Sequence, residues 1–393
     1  MQARPEVLAR SGNKAECHAL MAQAGLPILP GLRCQKSDPA TLDALQALGL
    51  PLLLKPAHGG GGLGIQTVTT AAELAQALAG VLQQDQRFIP AGSTPEVLAE
   101  RCLNPVRHLE VQLLADGRQH IIALSERDCS LQRRRQKVLE EAPAPGLNQQ
   151  QRKTLHALAC QAGAAVGLDQ VATVEFLFDG QDFWFLELNP RLQVEHAVTE
   201  AISGEDLVAW QLRLALGEDL QKFSPAVTVH GHAIEARLYA EDPWLGLPAP
   251  GQIDTLQLPD GPGLRLELGV YEGMPITSAY DPLLLKLIAW GSDRTQAHQR
   301  LQLALQQLQL TGSQGFQSNQ AALLNVLQSP AFAGAQLNTH SYEQLLTPHE
   351  MPEPLYSLGQ TVQKLLAEST PGSARKRAVQ PQAYNFWRPA HES

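Results

Sequence analysis

The sequence lacks an excess of basic residues and lacks closely spaced cysteines, and each absence excludes a class of protein. Lysine and arginine number 30 against 39 aspartate and glutamate residues, which gives a net charge of −9. Because binding to phosphate backbones needs a basic surface, the charge disfavours a nucleic-acid-binding protein. The five cysteines are odd in number and form no CxxC pair, which is typical of reduced thiols in the cytoplasm.

Long apolar segments are also missing. No apolar run approaches the roughly 20 residues that a membrane-spanning helix needs, and Lys286 interrupts the run at 283–290. The segment Met1 to Lys14 has no apolar stretch of the kind found in a secretory signal. We therefore expect a cytoplasmic protein without a membrane partner. Charged residues make up only 18% of the 393 residues, so we expect large buried cores in two or three domains.

The periodicity of the chain predicts a mixed α and β structure with antiparallel hairpins. Strands are predicted at 51–55, 65–69, 97–102, 108–114, 120–125, 171–178 and 182–188. Helices are predicted at 13–24, 149–166, 295–310 and 318–327. The dipeptides Asp116-Gly117 and Asp179-Gly180 each separate two strand-like runs, which is the typical sequence of a hairpin turn.

A tract at 187–195 concentrates the polar side chains of a possible site. Its sequence, Glu-Leu-Asn-Pro-Arg-Leu-Gln-Val-Glu, alternates polar and apolar residues. Alternate side chains of an extended segment point to opposite sides, so two carboxylates, two amides and a guanidinium share one face. An amphipathic surface strand is the alternative interpretation. The proline inside the run disfavours that alternative, because proline is rare in paired strands.

Glu175 and Glu187 are expected to lie near each other across the hairpin that joins their strands. Like charges on opposing positions destabilise a sheet unless something neutralises them. A hard divalent cation would do so, bound by carboxylate and amide oxygens together with the phosphates of a substrate. The pair therefore predicts a metal site.

Four consecutive glycines follow the apolar strand that ends at Lys55. Without Cβ atoms, backbone N–H groups of such a loop can approach phosphate oxygens closely. The loop is not a P-loop, because no Lys-Ser/Thr follows it, and not a dinucleotide-binding loop, because a strand follows it. A flexible turn is the alternative. Lys55 favours the phosphate site, because an ammonium at the end of an apolar strand needs an anion.

Two segments, 53–64 and 185–192, resemble the paired signatures of the ATP-grasp fold. The segments 126–145 and 191–196 narrow this resemblance to the biotin carboxylases, and among them to the α-subunits of acyl-CoA carboxylases. The resemblance extends from about Ser11 to Leu346. It implies an α+β fold in which an ATP-grasp domain precedes a biotin carboxylase C-terminal domain.

The resemblance also implies a division into domains. The ATP-grasp domain would comprise residues 1–226, with a lid subdomain at about 30–105, and the C-terminal domain would comprise residues 227–347. Residues 348–393 would begin a partly disordered linker region. Members of the family have a further domain before the position of Ser11 and, in long subunits, a biotin carrier domain. We expect both to be missing, and we expect the apolar runs at 276–288 and 301–310 to be exposed as a result.

In that family ATP phosphorylates bicarbonate, and the resulting carboxyphosphate carboxylates biotin. The resemblance implies ATP and Mg²⁺ or Mn²⁺ as cofactors, with biotin held on a carrier and not on this chain. It implies a biotin carboxyl carrier protein or domain and a carboxyltransferase subunit as partners, and a homo-oligomer. Two alternatives remain. One is another ATP-grasp carboxylate ligase, which the run Arg191-Leu-Gln-Val-Glu-His196 disfavours. The other is an inactive fragment that only associates with carboxylase subunits.

The resemblance assigns roles to individual residues of this sequence. The ATP phosphates would be bound by Lys14, Lys55, Gly59, Gly60, Gly61 and Gly62, the adenine by Glu100 and Leu103, and the ribose and the rest of the nucleotide by His108 and Gln132. The metal would be bound by Glu175, Glu187 and Asn189. The bicarbonate pocket would contain Lys137, Arg191, Gln193 and Val194. Glu195 would be the base that deprotonates bicarbonate, and Arg237 would stabilise the biotin enolate.

Overall fold

The computed structural model describes residues 3–59, 62–90, 92–118, 120–222 and 228–346. The predicted linker at 348–393 and two of the predicted phosphate-binding residues, Gly60 and Gly61, lie outside this part of the chain. The predicted domain boundary at 226–227 also falls between the described ranges. Among the described helices, none is long and apolar enough to cross a membrane.

The strands of the described chain are as follows. They are β1 (Gly31–Cys34), β2 (Leu52–Pro56), β3 (Gln66–Val68), β4 (Val97–Arg101), β5 (Arg107–Ala115), β6 (Ile121–Arg133), β7 (Gln136–Ala142), β8 (Ala172–Phe178), β9 (Phe183–Asn189), β10 (His232–Tyr239), β11 (Gly251–Gln257), β12 (Leu264–Leu268), β13 (Pro275–Ile276), β14 (Leu283–Gly291) and β15 (Gln309–Ser313).

The helices alternate with these strands. They are α1 (Pro5–Gly12), α2 (Lys14–Gln23), α3 (Pro39–Leu48), α4 (Ala71–Asp85), α5 (Gln149–Val166), α6 (His196–Ser203), α7 (Leu207–Ala215), α8 (Arg294–Gln307), α9 (Gln320–Gln328), α10 (Pro330–Ala333) and α11 (Ser341–Leu345), with a 3-10 turn at Leu220–Lys222. Local sequence explains several starts. The side chain of Asn13 accepts a hydrogen bond from the first turn of α2, and Asp38 does the same for α3.

A small antiparallel sheet has the strand order β1-β4-β2-β3. Its apolar face packs with α3 and α4 around a core that includes Leu45, Leu54 and Leu78. The segment that carries the four glycines connects β2 and β3 at the edge of this sheet.

The largest sheet has eight strands in the order β12-β14-β10-β7-β6-β5-β8-β9, and each neighbouring pair is antiparallel. The pairing of β7 with β10 joins residues before and after the predicted boundary at 227 into one sheet. Helix α5 covers one part of the sheet through a core that includes Leu155 and Phe176. Helix α8 packs on β14 and β10 at the other end.

Two expectations drawn from the sequence are wrong. The helix predicted at 295–310 ends at Gln307, because the next residues pair with β11 as strand β15 in a third sheet of order β13-β11-β15. The apolar run at 301–310 is packed, not exposed, since Leu301, Leu305 and Leu308 lie in a buried core. The run at 276–288 joins that core through β14, which lies between β12 and β10.

Candidate active site

A cleft with a volume of about 610 Å³ lies between the start of α2, the glycine segment and the edge of the large sheet. Most of the residues predicted to form the site line this cleft. They are Lys14, Gly59, Gly62, His108, Lys137, Glu175, Glu187, Asn189, Arg191, Gln193, Val194, Glu195 and Arg237. The predicted residues Lys55, Glu100, Leu103 and Gln132 are not among the residues that line it.

The predicted metal ligands come together as the sequence suggested. Glu175 of β8 and Glu187 of β9 are register partners in the sheet. The side-chain amide of Asn189 donates to Glu175 Oε1 at 3.1 Å and to Glu187 Oε1 at 2.9 Å. Carboxylate and amide oxygens are the ligands that Mg²⁺ and Mn²⁺ prefer, so this donor set fits a hard divalent cation.

Lys137 of β7 connects three carboxylates beside this point. Its ammonium group lies 3.0 Å from Glu175 Oε1, 2.6 Å from Glu195 Oε1 and 2.5 Å from Glu110 Oε2. Burial alone would raise the pKa of both Glu175 and Glu195, but Lys137 acts together with the other charges and donors around each carboxyl to hold its pKa below the usual value. Glu195 is therefore ionised at neutral pH and can accept a proton.

Arg237 of β10 lies on the other side of Glu195. Its guanidinium Nη2 is 2.9 Å from Glu195 Oε2 and 2.5 Å from Glu140 Oε1. Glu140 and Glu235 are register partners on β7 and β10, and both are buried. Burial raises the pKa of Glu140 to about 7 despite the nearby Arg237, and burial together with Glu140 raises the pKa of Glu235 well above its usual value.

The segment between β9 and α6 presents the residues predicted for the bicarbonate pocket. Arg191 is exposed at the cleft, and its guanidinium donates to the carbonyl oxygen of Leu192 at 3.3 Å. Gln193 is buried, and its amide donates to Glu175 Oε1 at 2.9 Å. The carbonyl oxygen of Val194 accepts a hydrogen bond from Lys286 of β14.

The residues predicted for the nucleotide occupy two different places. Lys14 lies at the cleft, where its ammonium donates to the carbonyl oxygen of Gly59 and where burial lowers its pKa. Lys55 is buried in an ion pair with Glu100, whose other oxygen lies 3.2 Å from His18.

Two further predicted nucleotide residues, His108 and Gln132, form a pair beside the predicted metal ligand Glu175. The side-chain amide of Gln132 lies 2.6 Å from Nδ1 of His108, and Nε2 of His108 lies 2.8 Å from Glu175 Oε2. Leu103 is half-buried just after β4.

The residue that sequence reasoning missed is Arg127 of β6. It is fully buried and lies 2.5 Å from Glu110 Oε1. It also donates to Gln112 Oε1 and Thr199 Oγ1 at 2.8 Å each, and to Gln193 Oε1 at 3.4 Å. The signal was the run Glu126-Arg127-Asp128 inside a strand buried on both faces, because charges in such a strand require partners.

Two family models and several known proteins match this chain. Residues 13–223 match the family described as carbamoyl-phosphate synthase L chain, ATP binding domain, and residues 235–344 match the biotin carboxylase C-terminal domain. The chain is 41% identical over 342 residues to the biotin carboxylase of Halalkalibacterium halodurans, covering 85% of this chain and 73% of that protein. It is 40% identical over 344 residues to biotin carboxylase 2 of Bacillus subtilis, covering 87% and 76%.

The chain belongs to the biotin carboxylase family. Solved structures of the family have the same fold. The Campylobacter jejuni biotin carboxylase in complex with an ATP analogue has a TM-score of 0.81 at 33% identity, covering 86% of this chain and 75% of that chain. The biotin carboxylase domain of Hydrogenobacter thermophilus 2-oxoglutarate carboxylase, solved with MgADP and bicarbonate, has a TM-score of 0.82 at 33% identity, covering 89% and 77%. The predicted ATP-grasp fold, followed by a biotin carboxylase C-terminal domain, and the predicted ligase class are confirmed.

Proposed function

We propose that this chain carboxylates biotin at the expense of ATP, with bicarbonate as the source of the carboxyl group and biotin supplied on a carrier. The observation that supports this most directly is the position of Glu195. One of its oxygens contacts Lys137, which also contacts the metal ligand Glu175, and the other contacts Arg237. The carboxylate of Glu195 thus lies between two parts of the cleft. We call the part with Lys137 and Glu175 the phosphate side and the part with Arg237 the biotin side.

On the phosphate side, Lys14 and the glycine segment would hold the phosphates of ATP. Their positive charge and backbone N–H groups suit the transfer of a phosphoryl group, in which charge accumulates on phosphate oxygens. Glu175, Glu187 and Asn189 would hold Mg²⁺ or Mn²⁺, which neutralises phosphate charge when bound. Lys137 already occupies the space between Glu175 and Glu195 with a positive charge, which would help to stabilise the same anionic oxygens.

In the bicarbonate pocket, Arg191, Gln193 and Val194 would orient the substrate, and Glu195 would accept its proton. The bicarbonate oxygen would then attack the terminal phosphorus of ATP, forming carboxyphosphate and releasing ADP. Glu195 is placed for this step because its carboxylate lines the cleft between Lys137 and Arg237. A positioned base of this kind contributes roughly 10²–10⁴ in rate.

On the biotin side, Arg237 would stabilise the negative charge that develops on the ureido oxygen of biotin when its nitrogen is deprotonated. Decomposition of carboxyphosphate to carbon dioxide and phosphate supplies the carboxyl group and the anion that takes this proton. Bidentate guanidinium groups stabilise such oxyanions well. Glu140 and Glu235 also lie beside the guanidinium of Arg237, at 2.5 Å and 4.0 Å.

The partners and domains follow from the same proposal. We assign residues 1–226 to the ATP-grasp domain and residues 227–347 to the C-terminal domain, with a lid subdomain around the small sheet. A biotin carboxyl carrier, a carboxyltransferase subunit and a homo-oligomer are expected. One relative supports the proposal that the chain works within an acyl-CoA carboxylase. The chain is 38% identical to the α-subunit of rice methylcrotonoyl-CoA carboxylase, covering 86% of this chain and 46% of that protein.

The experiment that tests the proposal measures incorporation of labelled bicarbonate into biotin, with ATP and Mg²⁺ present. Incorporation should require ATP and should be lost in Glu195→Gln, since the amide cannot accept the proton. The exposed Glu218→Gln is the matched control and should keep full activity. ATP hydrolysis that proceeds equally well without bicarbonate, or full incorporation by Glu195→Gln, would refute the proposal.

A further inference from the structure

His58 directly precedes the glycine segment and makes three polar contacts, two with Asp85 and one with Asn13. Its ring Nδ1 is 3.0 Å from Asp85 Oδ2, and its backbone N–H donates to Asp85 Oδ1 at 2.9 Å. Its ring Nε2 is 3.1 Å from the side-chain amide nitrogen of Asn13. The Asp85 side chain is fully buried, whereas the His58 side chain is 32% exposed and lines the cleft. We call these three residues the Asn13–His58–Asp85 network.

The capping of helix α2 by Asn13 determines which ring nitrogen of His58 donates a hydrogen bond and which one accepts. Asn13 Oδ1 accepts from the backbone N–H of Glu16 at 3.0 Å as the cap of that helix, so its NH₂ group must face His58. Nε2 of His58 therefore accepts a hydrogen bond, and the ring proton is on Nδ1, where it is donated to Asp85. The network is satisfied by the neutral ring in one orientation, which makes it a rigid connection.

The network connects the elements that would hold the phosphates of ATP. Asn13 directly precedes Lys14, whose backbone N–H donates to Ala57 at 2.9 Å and whose ammonium donates to Gly59. Asp85 ends α4 and also accepts from the backbone N–H of Glu96 at 2.8 Å. The network thus fixes the first glycine of the segment relative to the ammonium group of Lys14.

Resting on the proposed function, we propose that His58 is a positioning residue for the nucleotide phosphates. Glycine loses more conformational freedom on ordering than any other residue, so a run of glycines binds phosphate well only when its base is held in place. The network holds that base before the nucleotide arrives, and nucleotide affinity therefore depends on it. The role lies in binding, because His58 is not among the groups that contact Glu195 or Arg237 in the described chain.

The chain contains a matched control for this proposal. Nδ1 of His120 is 2.7 Å from Asp116 Oδ2, its backbone N–H donates to Asp116 Oδ1 at 3.3 Å, and its Nε2 is 2.6 Å from the side-chain amide of Gln221. The Asp116 side chain is fully buried and the His120 side chain is 36% exposed. The same arrangement of aspartate, histidine and amide therefore occurs at a place that does not line the cleft.

The test compares His58→Ala with His120→Ala by titration with MgADP, in the absence of biotin and bicarbonate. His58→Ala should bind roughly tenfold more weakly than the wild-type chain, equivalent to about 1.4 kcal/mol, while His120→Ala should bind normally. The KM for biotin should stay unchanged in both variants. His58→Asn should recover part of the affinity, because its amide can still donate to Asp85. It also serves as the test variant if His58→Ala does not fold.

A second readout separates this inference from the proposed function. Hydrogen exchange of the backbone amides of His58 and Gly59, measured without any nucleotide, should be faster in His58→Ala and unchanged in His120→Ala. Absence of biotin carboxylation by the wild-type chain would refute the proposed function but not this result. Unchanged exchange at Gly59, or MgADP affinity lost equally in the two alanine variants, would overturn the positioning role.

Discussion

Replacing either Glu175 or Glu187 by glutamine is expected to abolish ATP turnover, but only Glu175→Gln is expected to destabilise the protein. Each substitution removes a negative charge that would face a bound cation, so both should impair metal and nucleotide binding. The two side chains are register partners, yet their surroundings in the structure differ. The two variants therefore test whether stability and catalysis depend on the same contacts.

The expected magnitude follows from the hydrogen bonds of each carboxylate. Glu175 is buried and accepts hydrogen bonds from Gln193 at 2.9 Å, Lys137 at 3.0 Å and Asn189 at 3.1 Å, and its other oxygen lies 2.8 Å from Nε2 of His108. Glutamine replaces one acceptor oxygen by an NH₂ group that faces these donors, and it leaves Lys137 with one carboxylate fewer. Unsatisfied buried groups of this kind cost about 2–4 kcal/mol.

Glu187 is half-buried and accepts from Asn189 at 2.9 Å. A glutamine there can keep that contact, so the free energy of unfolding should change by less than about 1 kcal/mol. Urea unfolding of the metal-free protein measures both values, and Glu218→Gln provides the control. Equal destabilisation by the two variants would contradict the assigned contacts, and ATP hydrolysis at the wild-type rate in either one would remove it from the metal site.

Three further predictions concern the charges around these residues. Arg237→Ala should abolish biotin carboxylation but leave the affinity for MgADP within about twofold of the wild-type value. Lys14→Ala should weaken MgADP binding. Equal losses of MgADP affinity in the two variants would show that Arg237 does not have the role proposed for it. Lys55→Ala should lower the free energy of unfolding by about 3–5 kcal/mol because it leaves buried Glu100 without its ammonium partner, and adding Glu100→Gln should restore part of the loss in a denaturation experiment. Because the pKa of Glu140 is raised to about 7, the folded state holds a proton that the unfolded chain releases near 4.5, so the free energy of unfolding should fall as pH rises through this window. Glu140→Gln should flatten that dependence, and an unchanged pH profile would contradict the raised pKa.

Much of the fold could be predicted because its signals are local. The hairpins at Asp116-Gly117 and Asp179-Gly180 follow from turn chemistry between alternating strands, and the second one places Glu175 opposite Glu187. The alternation at 187–195 predicted that its polar side chains would share one face, and all five line the cleft. Leu188, Pro190 and Val194 line it as well, and the extended strand β9 already ends at Asn189. Side chains two residues apart in an extended segment share a face whatever the rest of the protein does.

The errors came from contacts between segments distant in sequence. The helical pattern at 295–310 continues past Gln307, but Leu308 to Leu310 gain more by joining β15 and the core that β11 and β14 share. The same core explains why the run at 301–310 is buried and not exposed. Periodicity describes which face of an element is apolar, but it does not identify the element that covers that face.

The sequence predicted a metal site because Glu175 and Glu187 were expected to repel each other. The contacts of Glu175 in the structure weaken that reason for expecting a metal. Lys137 already offsets part of the charge on Glu175 in the absence of a cation, and Nε2 of His108 lies 2.8 Å from the same carboxylate. Removing that carboxylate should therefore destabilise the metal-free protein, not relieve a repulsion. The case for the metal consequently rests on the donor set and the cleft, and no longer on an unsatisfied charge pair.

Two of the positive charges around the site, Arg127 and Lys286, were not assigned from the sequence, whereas Lys137 and Arg237 were. Glu187 and Glu195 belong to one short tract, but the cations that face Glu195 and the carboxylates around it come from separate strands of the large sheet. They are Arg127 from β6, Lys137 from β7, Arg237 from β10 and Lys286 from β14. Lys286 is the single charged residue of an apolar strand, where it forms no recognisable pattern, whereas Arg127 shares its strand with the neighbouring Glu126 and Asp128. These four cations face five buried carboxylates, which are those of Glu110, Glu140, Glu175, Glu195 and Glu235. The acids outnumber the cations, and the raised pKa values of Glu140 and Glu235 indicate where a proton relieves the excess negative charge. The sheet therefore sets the charge of the cleft, and a substitution on β10 or β14 can alter proton transfer at Glu195 without touching the tract that the sequence makes visible.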